Sequence, residues 1–430
     1  MVNKFPNDNV TCIGPWYEVR INADGSRNYC HASLKDHRDN SPENLLHWFN
    51  NSEYINNIRS LIKSGTPVSG CNNCYNNEKL GIISFRERRN IQAAIYHNDF
   101  FKESLIQSPA YKRLSDTPGN IHPAFLHITL SNLCNMGCRM CFPEFSSVIS
   151  SAYKKINKLE PTKQTLLDWT TDSEKWNDFL QFVKNNNNIM SLHFVGGEPL
   201  YHKRFTEFID WCIDNNKTDF HFTFVTNASI YRSDLFEKIS KFKSVHIELS
   251  IETFHQTNEY IRTGIPYKTI EENIKKYIAN STPNVHVALR TVPQALSILH
   301  YHTVIDFALE NKIPVDMNIL SNPRHLKCFV LPKDIKNNLA QSIRNRYSDL
   351  LTNNVDNTSS VTMIRTAETI TIINHINEIL SILEEQEPDD IETLRHKFVQ
   401  HNLELDKAYE KTFNEFYPEL FNFYEKYNKI

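Results

Sequence analysis

The chain has 430 residues, 40% of them hydrophobic and 23% charged, with a formal net charge of −3. That length allows a barrel-sized core with accessory modules, and the charge balance gives no global attraction to nucleic acid or to an anionic membrane surface. No stretch reaches the ~18 apolar residues of a membrane span, and Met1-Val-Asn-Lys-Phe-Pro6 has no signal-like apolar core. The expectation is a soluble, cytoplasmic protein whose nine cysteines are metal ligands or buried thiols rather than disulfides.

Residues 1–90 carry Cys12, Cys30, Cys71 and Cys74. Trp16–Ile21 alternates as a strand, Asp24-Gly25 supplies a hairpin turn, and a short return strand brings Cys30 back towards Cys12. A helical segment spans roughly 42–63 and precedes the Cys71-Asn-Asn-Cys74 pair. Two separated cysteines plus Cys-x-x-Cys make a four-thiolate metal site, and spacing alone leaves an iron–sulfur cluster and a structural zinc both open. Arg86, Arg88 and Arg89 form a basic run, read as a solvated helix face rather than a nucleic-acid site. Residues 91–121 read as a helical connector closed by the turn at Asp116–Gly119.

From 122 to 322 strands alternate with amphipathic helices, the strands at 125–130, 190–195, 219–226, 244–251, 285–291 and 313–319. The helical segments are Arg204–Asn215, Tyr267–Ala279 and Ala295–Glu310. This alternation predicts an α/β fold with a parallel sheet, open or curled into a barrel, whose chemistry lies at the C-terminal strand ends. Those ends carry Cys134-Asn-Met-Gly-Cys138-Arg-Met-Cys141, Gly196-Gly197-Glu198, Thr226-Asn227, Ser250-Ile251-Glu252 and Arg290-Thr291. Three thiolates in eight residues suit a [4Fe–4S] cluster with one iron left open. Cys212 falls on an apolar helix face and reads as a buried thiol, Cys328 as a lone structural thiol, and His193 as a packed core histidine. Residues 323–430 read as a helical cap with a polar interruption near Asn353–Ser360 and no self-evident chemistry.

Cys134-x3-Cys138-x2-Cys141 followed by Gly196-Gly197-Glu198-Pro199 resembles the radical S-adenosylmethionine superfamily. The resemblance implies a partial (β/α)6 TIM-type barrel holding a [4Fe–4S] cluster on Cys134, Cys138 and Cys141, with S-adenosylmethionine on its open iron. It implies reductive cleavage of that cofactor and hydrogen-atom abstraction from a substrate. Gly196, Gly197 and Glu198 would meet the methionyl amino group. Thr226, Asn227, Ser250 and Glu252 would meet the ribose and nearby groups, and Arg262 and Arg290 the cofactor carboxylate or an acidic substrate. Met140 stands where the superfamily often has an aromatic residue and would pack there.

At the N-terminus, Cys12-Ile-Gly-Pro-Trp16, Asp24-Gly25 before Cys30, and Cys71-x2-Cys74-x3-Glu78-x2-Gly81-x2-Ser84-x-Arg86 are similar to the twitch type of these proteins, a shortened relative of the SPASM domain; Glu259-Tyr-Ile-Arg262-x-Gly264 fits the same type. This implies that Cys12, Cys30, Cys71 and Cys74 ligate an auxiliary [4Fe–4S] cluster rather than zinc. The implied organisation is a twitch-like module at 1–90, the connector at 91–121, the barrel at 122–322 and the cap at 323–430. The implied partners are a peptide, protein or small-molecule substrate and an electron donor such as flavodoxin or ferredoxin. The rival reading from another class is a non-catalytic iron–sulfur or zinc-stapled electron-transfer or binding module.

Overall fold

The computed structural model describes residues 10–33, 37–79, 83–96, 121–352 and 367–428. The Asp116–Gly119 turn, Gly81 and the Asn353–Ser360 stretch lie outside the described residues. One eight-stranded sheet organises the fold, in the order β10-β9-β7-β6-β5-β3-β1-β2. Its strands are β1 (Glu18–Ile21), β2 (Arg27–Asn28), β3 (Phe125–Ile128), β5 (Ser191–Phe194), β6 (His221–Thr226), β7 (Ser244–Ser250), β9 (Val285–Thr291) and β10 (Val315–Met317); β4 (Gly137–Cys138) and β8 (Arg262–Thr263) pair separately. All six strands expected in the barrel region form, and they pair in parallel. The intervening helices, such as Lys203–Asp214 and Tyr267–Ala279, close the crossovers that parallel pairing needs.

Alternation along each strand separates two environments. Phe194 and Phe224 pack on Phe205 of the Lys203–Asp214 helix at 5.2 Å between ring centroids, and Leu192, Phe222, Val245, Ile247 and Leu249 share their buried face. The opposite, inner face is polar. One rung of register-paired residues crosses six strands as Arg20, His127, His193, Thr223, His246 and His286. His193, read as a packed core histidine, is packed on this polar inner face, its Nδ1 3.1 Å from Nε2 of His127.

The N-terminal hairpin does not stand apart from this sheet. β1 pairs with β2 on one edge and runs parallel to β3 on the other, Arg20 opposite His127. Parallel pairing across a hundred residues leaves no local pattern, which is why only the hairpin was legible. Two local boundaries also move. Gly14–Tyr17 is a single helical turn with Pro15 pre-setting its start, so the strand begins at Glu18. The segment near 42–63 is two helices, Leu45–Asn51 and Glu53–Lys63, because Ser52 is extended and caps the second through Ile55 N–H. Among the described residues no helix is long and apolar enough to cross a membrane.

Candidate active site

The cysteine loop follows β3 and is pinned at its middle. β4 pairs antiparallel with β8, Cys138 opposite Arg262 and Gly137 opposite Thr263. Ser147 Oγ accepts from the Cys134 N–H at 3.2 Å, and Ser146 Oγ donates to the Met136 carbonyl at 2.8 Å. These contacts fix the loop against β8 and the start of the Ser147–Lys155 helix. Burial pushes the Cys134 thiol up to about 12, with Cys138 and Glu198 adding to the rise; Cys141 rises from burial and from its two neighbours. A metal bound among the three thiols would reverse that preference and hold them as thiolates.

Gly196-Gly197-Glu198 packs directly against this loop. Gly197 has φ +59°, and a Cβ there would sit 2.6 Å from the Leu133 carbonyl oxygen. Its N–H donates to Phe145 O at 2.9 Å, and Glu198 N–H donates to Leu133 O at 2.8 Å. A side chain would force the two backbones apart. The Glu198 carboxylate is buried and turned inward, accepting from Thr226 Oγ1 (2.8 Å), Leu200 N–H (3.1 Å) and Asn227 N–H (2.6 Å). Burial holds it at about 7 in spite of these donors. Asn227 then reaches the cysteine loop, its Nδ2 2.8 Å from Asn135 Oδ1 and 3.9 Å from Cys134 Sγ. Glu198 and Thr226 therefore fix strand ends, while Asn227 borders the thiols.

Residues 128–293 match the family model "Radical SAM superfamily". The chain carries a domain of the radical SAM superfamily. A curated relative, the radical SAM cyclopropyl synthase TigE of Paramaledivibacter caminithermalis, is 24% identical over 241 residues, covering 55% of this chain and 48% of its own length. The chain thus spans about half the length of that relative. Similar solved structures include Streptococcus suis SuiB bound to S-adenosylmethionine, at 17% identity and TM-score 0.38, covering 77% of this chain and 69% of that one. Another is anSMEcpe with bound AdoMet, at 13% identity and TM-score 0.40, covering 72% and 96%.

The other strand-end residues of the radical SAM domain fall into two groups. Arg262 Nη1 lies 3.1 Å from Glu252 Oε1, and Glu252 Oε2 accepts from Val292 N–H at 2.9 Å. Burial pushes Glu252 up to about 7 against the pull of Arg262. Arg262 sits within the field of Cys138 and Cys134 and leaves a buried, unpaired Nε. Such an orphan beside open thiols fits an absent anionic partner. Arg290 is already engaged, 3.1 Å from Glu248 Oε2 and 2.6 Å from Asn318 Oδ1. Ser250 is buried opposite Arg290, and Met140 is half-buried against the core.

Arg139, inside the cysteine motif, carried no expectation and is among the largest fully buried side chains. Its Nε donates to Tyr260 O (2.8 Å), Nη1 to Asn402 O (3.1 Å) and Nη2 to Asp406 Oδ1 (2.5 Å), and its guanidinium lies 3.5 Å from the Tyr260 ring centroid. His401 Nε2 is 2.9 Å from the Arg139 carbonyl oxygen. The cap therefore bears on the site after all, through the Ile391–Tyr409 helix. In the sequence Arg139 is only a charge between two motif cysteines; its partners Asn402 and Asp406 lie 263 and 267 positions away and leave no local signal.

Cys12, Cys30, Cys71 and Cys74 line one pocket with Glu18, His31, Arg86 and Arg89. Donors point at the sulfurs: Gly14 N–H at Cys12 and Ala32 N–H at Cys30, each at 3.3 Å, with the Tyr29 hydroxyl 3.3 Å from Cys71. Four convergent thiols with surrounding donors fit a fully ligated metal centre. Arg86 donates to both Glu78 oxygens (2.9 and 2.5 Å) and to Thr11 O (2.7 Å), and Arg89 lies 2.7 Å from Glu18. Side-chain exposures of 8% and 12% correct the expectation that Arg86 and Arg89 lie on a solvated face. The arginines close the helix carrying them onto the cysteine pocket. Cys212 and Cys328 are buried thiols, as expected.

Proposed function

We propose that this chain is a radical S-adenosylmethionine enzyme acting on a peptide or protein segment, with a second, auxiliary [4Fe–4S] cluster on Cys12, Cys30, Cys71 and Cys74. The observation that carries the reading is that Gly197 and Glu198 bond to Phe145 and Leu133, the two residues flanking the cysteine loop, while Cys138 within it pairs with Arg262 across β4 and β8. When bound, the cluster and S-adenosylmethionine together supply hydrogen-atom abstraction. Cys134, Cys138 and Cys141 would hold the cluster and leave one iron open. Gly196, Gly197 and Asn227 would line the methionyl group, and Arg262 would offer the cofactor carboxylate a guanidinium edge. Glu198 holds the ends of β5 and β6 in register. The peptide assignment draws on the twitch-like N-terminus, and the electron donor would be flavodoxin or ferredoxin.

Anaerobic reconstitution of the full chain tests this. The wild type should take up about eight irons and, with dithionite, convert S-adenosylmethionine to 5′-deoxyadenosine. A Cys134/Cys138/Cys141 triple alanine variant should keep about four irons and lose cleavage. Full iron content without cleavage in the wild type would refute the enzyme reading. Zinc retained at the N-terminal cysteines after reconstitution would refute the auxiliary cluster.

A further inference from the structure

The inner face of the sheet divides into two halves. On β7, β9 and β10 every charge is answered from within: Arg290 lies against Glu248, and His246 Nε2 is 3.3 Å from Asp316. On β1, β3 and β5 the face carries Arg20, His127 and His193 in one rung. There Arg20 lies in the field of Cys30 and Glu18 without a direct ion pair to either. Among the described residues no carboxylate lies within ion-pair distance of Arg20. Its Nη1 donates to a neutral acceptor, the His31 carbonyl, at 2.7 Å, and its Nε is buried without a partner. Glu18, the neighbouring acid on β1, is already engaged by Arg89 at 2.7 Å and by His31 at 2.5 Å.

We propose that Arg20, with His127 and His193 beside it, forms a subsite for a carboxylate of the substrate, an inference that rests on the function proposed above. Burial holds both histidines neutral, His193 down at about 3, so Arg20 is the one fixed cation of the rung's first half. The histidine pair supplies directed hydrogen bonds instead. His193 Nε2 and His127 Nδ1 are both buried and unpaired. Whichever ring donates in the His127–His193 contact, one of these two outer nitrogens carries the remaining proton and is free to donate. One guanidinium and one imidazole N–H match a planar, two-oxygen, singly charged acceptor. A phosphate dianion would need more positive charge than the rung provides.

The location fits a substrate group held between the two cysteine sites. The Arg20 guanidinium lies 5.6 Å from the Phe145 ring centroid, and the Phe145 carbonyl accepts from Gly197. On its other side Arg20 is bonded to His31, the residue after Cys30. Arg262 already faces Cys134 and Cys138, so Arg20 is not needed for the cofactor's own carboxylate. The carboxylate can belong to an Asp or Glu side chain of a peptide or to a free small acid.

Equilibrium dialysis of the reconstituted full chain, saturated with S-adenosylmethionine, tests this with three probes: acetyl-Gly-Glu-Gly-amide, acetyl-Gly-Gln-Gly-amide and glutarate. The Glu peptide should bind about tenfold or more tighter than the Gln peptide, as a charge-assisted contact requires. R20Q should erase that ratio and R20K should keep part of it. Preference for the Glu peptide over glutarate assigns the group to a peptide; the reverse assigns it to a small acid, and both support a carboxylate subsite. Equal binding of the Glu and Gln peptides, or an undiminished ratio in R20Q, overturns it. Competition between the Glu peptide and S-adenosylmethionine also overturns it, by giving Arg20 to the cofactor. Formation of 5′-deoxyadenosine by the wild type is measured without these probes, so failure of the subsite and failure of the enzyme reading are told apart.

Discussion

Removing the Asp406 side chain isolates what the cap does for the cysteine loop. Arg139 has 0% side-chain exposure and Asp406 10%, and they meet at 2.5 Å. Burial raises the Asp406 pKa more than Arg139 lowers it, so the pair as a whole is a weak source of stability. Deleting one member is a different matter, because the other charge stays buried. In D406A, Arg139 keeps the Tyr260 ring and two backbone carbonyls but loses its one carboxylate. The Phe413 N–H also loses the Asp406 Oδ2 acceptor, at 2.9 Å. The expected loss is about 3–5 kcal/mol, read from urea denaturation of the apoprotein by circular dichroism. The R139M/D406L double variant should lose less than the sum of the two single changes, since no charge is left stranded. Because Arg139 lies between Cys138 and Cys141, D406A should also take up less iron at that site. A loss under about 1 kcal/mol would mean that Arg139 escapes to water, and that the cap does not hold the loop.

Three further outcomes follow from the same geometry. G197A places a methyl group 2.6 Å from the Leu133 carbonyl oxygen at φ +59°; it should destabilise the chain by about 1–3 kcal/mol and reduce iron uptake, whereas G65A, at φ +73° but with open space around its Cβ position, should carry the backbone strain alone and take up iron normally. His193, with its folded pKa lowered to about 3, stays neutral where the unfolded chain takes a proton below its ordinary value of 6.5. Its stability contribution is therefore lost as pH falls: about 1–2 kcal/mol between pH 7 and 5, a slope that H193Q should reduce in urea titrations at the two pH values. R86Q takes the guanidinium from Glu78, which keeps Ser84 Oγ, and leaves Asn90 Nδ2 on the Thr11 carbonyl; it should cost about 1–3 kcal/mol while exposing Cys71 and Cys74 to faster alkylation by iodoacetamide, and an unchanged alkylation rate would detach Arg86 from the cysteine pocket.

The sequence by itself determined the alternation of strands and helices, the six parallel strands and the two cysteine sets. Each is encoded within a few residues, by apolar period, by turn chemistry or by ligand spacing. It also marked Gly196 and Gly197, since two adjacent glycines after a strand in a chain this poor in glycine need a backbone reason. Tertiary structure decided what joins these pieces. That β1 pairs with β3 depends on contacts a hundred residues apart, which leave no local period. That same pairing sets Arg20 beside His127 and His193 and makes a polar rung that none of these residues signals by itself. Arg139 and Asp406 are likewise 267 positions apart, and each alone reads as an ordinary surface charge. A buried charge is intelligible only with its partner, and the fold alone supplies the partner.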